Sequence, residues 1–504
     1  MGKKLEISKT PEEKLTENEM TINECALNSS DKATDTIFHA LCECLALSRI
    51  IYEEKDWHNA QYYCCLGYFY ITYKGHKYAL QAESHAEKAV KLLSHTLNSV
   101  SEESTNDYHS NNNFIISCLI LLSYYTLAKS KSIQQKKKEA LSLINQTEKA
   151  LYKAEKQFDL IQNAKHFTGS IDDHNKTSED SKKILEDYYE QWDHCNLLRL
   201  DKNFFPNLFR LKLRIYNLHG KIACENEKFE LSYENYLKAL KLIEEKYDAE
   251  SKETIPIYQA LGRVEEYRKG DGYGDKAISH FQKAYEISKR IFNEKSDVQN
   301  LLELTRSVYL LCTACVKLNS KMNKVEELLG ETLQAIATFS VTNNQHSNDN
   351  STDNVITESM DLPPTTDESP LNHHDSTDHF VNINNKYSNE TVIKLTCTLR
   401  SLLVKIYIKQ NHFQEALYLL QENLNIQEDI YGMYNADVIK TRQLILSIHM
   451  VQGNFSEAVS QAELCLSLEE FTFGVKSKQV KKTKEILEAL SSYKKSGQIS
   501  NSTH

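Results

Sequence analysis

Residues able to bind a metal or cycle electrons gather at two places in the chain. Cys312-Thr-Ala-Cys315 is the one Cys-x-x-Cys, and His373, His374, Asp375, Asp378 and His379 form the other cluster. A Cys-x-x-Cys does chemistry when its thiols are ionised and reachable. This one sits inside the apolar run VYLLCTACVKL, where residues three apart share a helix face, so it reads as a packing pair. The His/Asp cluster lies in a polar low-complexity stretch with no frame to fix ligand geometry or a supporting shell. Neither predicts a metal site, and Cys64-Cys65 and Cys42/Cys44 add none. No phosphate loop, dinucleotide glycine fingerprint, His-Glu-x-x-His or nucleophile elbow occurs. Catalysis needs groups held rigidly with tuned pKa values. The expectation is therefore no catalytic, cofactor-binding or metal-ligating residue, and a chain that is not an enzyme.

The elements that would carry any site are helical. A chain of 504 residues with 40% hydrophobic residues has ample material for a core, and 14 Gly with 6 Pro leave few breaks. The formal charge of −10 argues against nucleic acid as the main partner. Lys136-Lys-Lys138 reads as a solvated helix end. FIISCLILLSYYTLA (114–128) is too short to span a bilayer and reads as a buried helix, so no direct membrane insertion is expected. MGKKLEISKTPEEK carries no secretory signal, and twelve Cys without one imply reduced thiols in the cytoplasm.

The chain also repeats itself. HFQEALYLLQENLNIQEDIYG from His412 and NFSEAVSQAELCLSLEEFTFG from Asn454 align at a shift of 42 residues. Phe413/Phe455, Ala416/Ala458, Leu424/Leu466, Glu428/Glu470, Gly432/Gly474, Val438/Val480 and Thr441/Thr483 coincide in residue or character. Apolar positions recur at three and four residues, broken at 410–411, 452–454 and 431–437, which predicts helix, turn, helix, loop. Small residues at the helix contacts let the pair approach closely. That arrangement resembles the tetratricopeptide repeat.

The pattern recurs upstream: Leu66-Gly67 and Tyr70 lead to Ala82, Ala86 and Ala89; Gly220 to Ser232, Tyr236 and Ala239; Leu261-Gly262 to Ala277, Phe281 and Ala284. YKGHKYA and KGDGYG lengthen the turns of the first and fourth units. The prediction is an all-α superhelical solenoid of about seven hairpins, near 57–97, 112–165, 204–247, 253–292, 300–340, 391–431 and 437–473. Its 42-residue units resemble those of the kinesin light chains. A helix near 34–52 forms half of a further unit, and 483–493 caps the end. One hairpin cannot bury its apolar face alone, so stacking supplies the partner. The expected organisation is a disordered tail over 1–31, a repeat array over 32–340 with an insert at 168–203, a disordered loop over 341–390, a second array with its cap over 391–495, and a short tail over 496–504.

Solenoids of this type dock partners along their first helices. The resemblance places groove-facing sites at Asn217, Gln259, Ser401 and Gln443, and at Lys221, Arg263 and Lys405 one turn on. Amides there would bond the backbone of an extended peptide, and the cations would favour acidic segments.

The first unit carries the most distinctive wording, ALSRIIYEEKDWHNAQYYCCLGYFYITYKG followed by QAESHAEKAVKLL. Ala46, Leu47, Arg49, Ile50, Tyr52, Trp57, Leu66, Tyr70 and Gly75 together resemble the tetratricopeptide repeat protein 23 family with its 23-like paralogue. That resemblance implies a non-catalytic scaffold of the primary cilium, at the Ellis–van Creveld zone near the ciliary base. IQ-motif scaffold proteins would be its partners and Hedgehog signalling the process supported. A kinesin-light-chain-like cargo adaptor binding acidic peptides is the alternative reading. Against it, the first 30 residues show no sustained heptads.

Overall fold

A computed structural model describes residues 9–26, 31–100, 107–167, 208–268, 270, 272–320, 322–348 and 386–500. The chain divides into two compact units, one ending at His280 and the other beginning at Phe281. In the first unit α1 (Pro11–Ala26) packs on α2 (Asp31–Ile51), α3 (Trp57–Phe69) on α4 (Ala79–Val100), and α5 (Asp107–Ile133) on α6 (Lys137–Phe167). Next come α7 (Leu208–Glu225) on α8 (Phe229–Lys246), then α9 (Ile255–Tyr267). The division between units falls inside α10 (Tyr273–Glu294). The second unit pairs α11 (Val298–Lys317) with α12 (Met322–Asn348), α13 (Lys386–Lys409) with α14 (Phe413–Tyr431), and α15 (Ala436–Gln452) with α16 (Phe455–Phe473). There α17 (Lys478–Ser500) closes against α16. No strand occurs among the described residues, and each unit is a stack of tetratricopeptide-type hairpins.

The hairpin turns explain why the breaks fall where they do. Gln135, Glu227, Asn319, Asn411 and Gly453 all adopt positive φ at the close of a first helix. The amide after each reaches back five residues: Lys136 to Lys131, Lys228 to Ala223, Ser320 to Cys315, His412 to Tyr407 and Asn454 to His449, at 2.8–3.0 Å. This left-handed cap satisfies carbonyls the helix end would otherwise orphan. The lengthened first-unit turn is different: a π-helical turn over Tyr70–Lys74 ends at Gly75, and a 3-10 turn over His76–Tyr78 follows.

Small residues then set the approach of the two helices. Ala82, Ala86 and Ala89 are fully buried on α4, and so are Ala416 on α14 and Ala458 and Ala462 on α16. A side chain at Gly67 would meet the Ala82 carbonyl at 3.1 Å and the Ala86 amide at 3.3 Å.

Two expectations about the termini are corrected. The stretch 1–31, expected as a disordered tail, contains α1. Thr10 and Glu13 form a reciprocal capping box (Thr10 amide to Glu13 carboxylate 2.9 Å, Glu13 amide to Thr10 hydroxyl 3.2 Å), and Pro11 sits at the first helical position. Leu15 and Ile22 bury one face of this helix, so α1 supplies the first helix of the hairpin that α2 completes. At the other end α17 continues to Ser500, beyond the cap expected over 483–493 and into the expected tail from 496.

The expected loop over 341–390 is also shorter, because α12 runs on to Asn348 and α13 starts at Lys386. Its remainder, with the His/Asp cluster at 373–379, lies outside the described residues, as does the insert 168–203. The apolar run from Phe114 belongs to a helix long and apolar enough by composition to cross a membrane. That stretch is 78% buried within the protein, which is the signature of a core helix.

Candidate protein-interaction site

In the first unit α7 sets one level of the candidate face. Asn217, Lys221 and Cys224 follow one another at four and three residues, on a single stripe of the helix. The opposite side of α7 is clamped to α6 by two rungs, His219 Nδ1 to Glu148 Oε1 at 2.8 Å and Lys212 Nζ to Glu155 Oε1 at 2.6 Å. Burial works against ionising Glu148, but the hydrogen bond and charge of His219 hold its carboxyl below the ordinary value. On the hairpin side the Ser232 hydroxyl donates to the Gly220 carbonyl at 2.7 Å, pinning α8. These contacts fix how far α7 can rotate, and so which way Lys221 faces.

Arg263 on α9 reaches the same stripe. Burial pushes the Cys224 thiol up to about 11 with help from the Glu225 carboxylate, while the Arg263 guanidinium opposes the rise. The Asn217 side-chain oxygen is buried without a hydrogen-bond partner, and Lys221 is half-buried and makes no ion pair among the described residues. Asn217 and Lys221 thus share one stripe of α7, and Arg263 acts electrostatically on Cys224 of the same stripe. Gln259 does not join them: at 3% exposure it belongs to the core of α9 and drops out of the candidate face.

The second unit treats its predicted residues differently. Ser401 donates its hydroxyl to the Cys397 carbonyl of its own helix at 2.7 Å. Lys405 is exposed. Gln443 donates to Glu469 Oε1 at 2.6 Å, and the same oxygen accepts from the Thr483 hydroxyl at 3.0 Å. Glu469 is fully buried, so Gln443 is committed to holding α15 against α16.

This buried carboxylate belongs to a repeated device that sequence reasoning missed. Thr441 donates to Gln427 at 2.7 Å, as Thr483 does to Glu469; Arg442 meets Glu428 at 2.5 Å, as Lys484 meets Glu470 at 2.8 Å. All four partners recur at the 42-residue shift. The matches Glu428/Glu470 and Thr441/Thr483 were the available signal.

No site for covalent or redox chemistry is assembled among the described residues. Cys312 and Cys315 are buried on α11, and burial reinforced by Cys315 raises the Cys312 thiol, disfavouring the thiolate that a nucleophile or metal ligand requires. Among the described residues no group of three His, Cys, Asp or Glu is placed to hold a metal.

Stacked hairpins closed by left-handed turns, with small residues at their contacts, define a tetratricopeptide-type helical repeat protein. Within that class the chain is similar to tetratricopeptide repeat protein 23 and its 23-like paralogue. It is 25% identical over 256 residues to the 23-like protein of Bos taurus, covering 51% of this chain and 64% of that protein. It is 27% identical over 255 residues to tetratricopeptide repeat protein 23 of Mus musculus, covering 51% of this chain and 41% of that protein. The match thus spans between about two fifths and two thirds of these relatives' length. No family model matches the chain. Among solved structures, the apo form of RapI is similar at 11% identity and a TM-score of 0.43, covering 97% of this chain and 99% of that one. The nearly identical repeats of a putative kinesin light chain from Podosopora anserina are similar at 14% identity and a TM-score of 0.34, covering 52% and 96%.

Proposed function

We propose that the chain is a non-catalytic scaffold that docks protein partners, and that it acts at the base of the primary cilium in support of Hedgehog signalling. The docking role rests on one observation: Asn217, with an unanswered buried oxygen, shares a stripe with Lys221 and with Cys224, whose thiol feels the Arg263 guanidinium of the next hairpin. An extended acidic segment suits that stripe. Its backbone amide would answer Asn217, and its carboxylates would meet the two cations. Each contact contributes about 0.5–3 kcal/mol, so several must act together. The ciliary setting, and IQ-motif scaffold proteins as partners, are supported by the similarity to tetratricopeptide repeat protein 23 and its paralogue.

Titrating the full-length protein with an acidic peptide library tests the docking stripe. Lys221→Glu with Arg263→Glu is expected to weaken the binders at least tenfold, and unchanged binding would remove the stripe from the function. Imaging the tagged chain in ciliated cells tests the setting. Enrichment near the ciliary base is expected, whereas co-transport with vesicles would favour a cargo adaptor.

A further inference from the structure

The two loops that close the 42-residue repeats are built alike. Gly432 and Gly474 turn the chain at positive φ (75° and 81°), and Asn435 and Ser477 then cap the following helices, accepting from the Asp437 amide at 2.8 Å and the Val480 amide at 3.3 Å. Glycine and cap satisfy the turn, so it needs no large apolar side chain. It carries them nevertheless. Met433 and Tyr434 of one loop are exposed, as are Phe471, Phe473 and Val475 around the other, with Phe471 at 73% and Val475 at 63%. The corresponding loop after α8 reads Asp248-Ala-Glu-Ser-Lys252, and the one after α10 reads Asn293-Glu-Lys-Ser-Asp297. Among the described loops after α8, α10, α14 and α16, only the last two place an apolar pair or triplet on the surface, although Tyr247 at the end of α8 is also exposed.

Direct contacts join the two loops into one surface. The Tyr434 and Phe471 rings lie 4.3 Å apart at 38°, and the Thr472 hydroxyl donates to the Tyr434 carbonyl at 3.0 Å. Beside the aromatic ridge, Lys476, Lys478, Lys481 and Lys482 are exposed. None of the four has an ion-pair partner among the described residues, whereas Lys484 is answered by Glu470. Asp429 and Asp437 bracket the Tyr434 loop in the chain, Asp429 exposed and Asp437 paired with Lys440 of its own helix at 3.5 Å.

We propose that this edge docks a peptide segment of a protein partner, with an aromatic or aliphatic side chain seated on the Tyr434–Phe471 ridge and acidic residues set against the four lysines. Exposed aromatics with satisfied backbones are typical interface anchors. Unpaired lysines on one flank demand the opposite charge. Asp429 and Asp437, which bracket the loop, favour a discrete peptide with its acidic residues set to one end over a uniformly anionic lipid surface, which they would repel. The site lies in the second unit and uses none of Asn217, Lys221 or Arg263, so it stands or falls independently of the groove reading.

The test uses the full-length protein and an array of fluorescent 15-residue peptides, each with one Trp, Phe or Leu preceded by neutral residues and followed by three or four Asp or Glu. Alanine-for-aromatic and acid-to-amide versions serve as controls. Binding of the acidic, apolar-bearing peptides is expected. Phe471→Ser with Val475→Ser should weaken it at least tenfold, and so should Lys478→Glu with Lys482→Glu, while Lys221→Glu with Arg263→Glu leaves it unchanged. Raising the salt should also weaken it, because the charged pairs are exposed. Thermal melts of the variants should match the parent, since none of the replaced side chains is buried. Four results overturn the proposal: binding that survives both loop variants; no peptide binding at all; binding to phosphatidylcholine/phosphatidylserine vesicles but not to peptides; and sedimentation showing a dimer that Phe471→Ser dissociates.

Discussion

In two hairpins of the first unit the repeat position where the first helix meets the second is glycine, Gly67 against α4 and Gly220 against α8, and in the α5/α6 hairpin it is Ala128. In the last two hairpins of the second unit the same position holds Val404 and Leu446, both buried, while the α11/α12 hairpin has Cys312 there. The partner side chains change in compensation. A side chain at Gly220 would collide with the Tyr236 ring at 2.8 Å, whereas Leu446 clusters with the small Ala458 and Ala462. Between Gly220/Tyr236 and Leu446/Ala462 the small and the large partner are exchanged across the contact, as close packing permits. The repeat therefore specifies a filled contact rather than a particular residue, which is why the units diverge in sequence and keep one geometry.

That comparison breaks hardest at Gly67, where the facing atoms are backbone and cannot turn away. Gly67→Val should cost about 3 kcal/mol, read as a drop in the urea midpoint of the full chain. Gly220 faces a side chain instead, so its clash can be relieved. Gly220→Leu alone should cost about 2–3 kcal/mol, and adding Tyr236→Ala should recover a large part by copying the Leu446/Ala462 division. A double variant no more stable than Gly220→Leu would show that the volumes at this contact do not exchange.

A second contrast concerns polar groups between hairpins. The first unit uses unrepeated pairs such as His219–Glu148, whereas the second repeats a rung in which threonine donates to Gln427 in one copy and to Glu469 in the next. The amide in the earlier copy shows that no charge is needed there. Glu469→Gln should therefore change stability by less than about 0.5 kcal/mol. Glu469→Leu should cost about 1–3 kcal/mol, because it strands the Thr483 hydroxyl and the Gln443 amide in a buried site. Equal losses from the two variants would mean that the negative charge itself matters.

Much of the architecture was legible because apolar period and small-residue spacing report a helix's own geometry. The breaks at 410–411 and 452–454 coincide with left-handed turns, and the lengthened first-unit turn is real. Helix α1 was legible too, in Thr10-Pro-Glu-Glu13, but a polar run with only Leu15 and Ile22 on its inner face hid it. The candidate face was half legible. Register places Lys221, Arg263 and Gln443 on first helices, yet it cannot say whether a neighbouring helix covers them. Gln443 lost its freedom to Glu469, 26 residues further along the chain, and Gln259 to its own hairpin's core. The aromatic loops at 431–434 and 471–475 were seen only as repeat terminators, because exposure is not encoded in residue type.

The turns offer the finest version of the contrast. Five first helices end in a left-handed residue, yet it is glycine only in the last, at Gly453, while Glu227 and Asn411 adopt φ of 60° and 62°. A β-carbon in that conformation costs about 1–2 kcal/mol, less for asparagine, whose short side chain tolerates it. Glycine removes that cost but frees the unfolded chain, offsetting about 0.4–1 kcal/mol. Glu227→Gly should then stabilise the first unit by about 0.5–1 kcal/mol, and Asn411→Gly should alter the second by about 0.3 kcal/mol or less. Gly453→Ala should cost about 1 kcal/mol. Urea denaturation of the three variants checks the order. If Glu227→Gly destabilised the chain, the Glu227 side chain would have to contribute more through its own contacts than its backbone strain costs, and the five turns could no longer be treated as one motif.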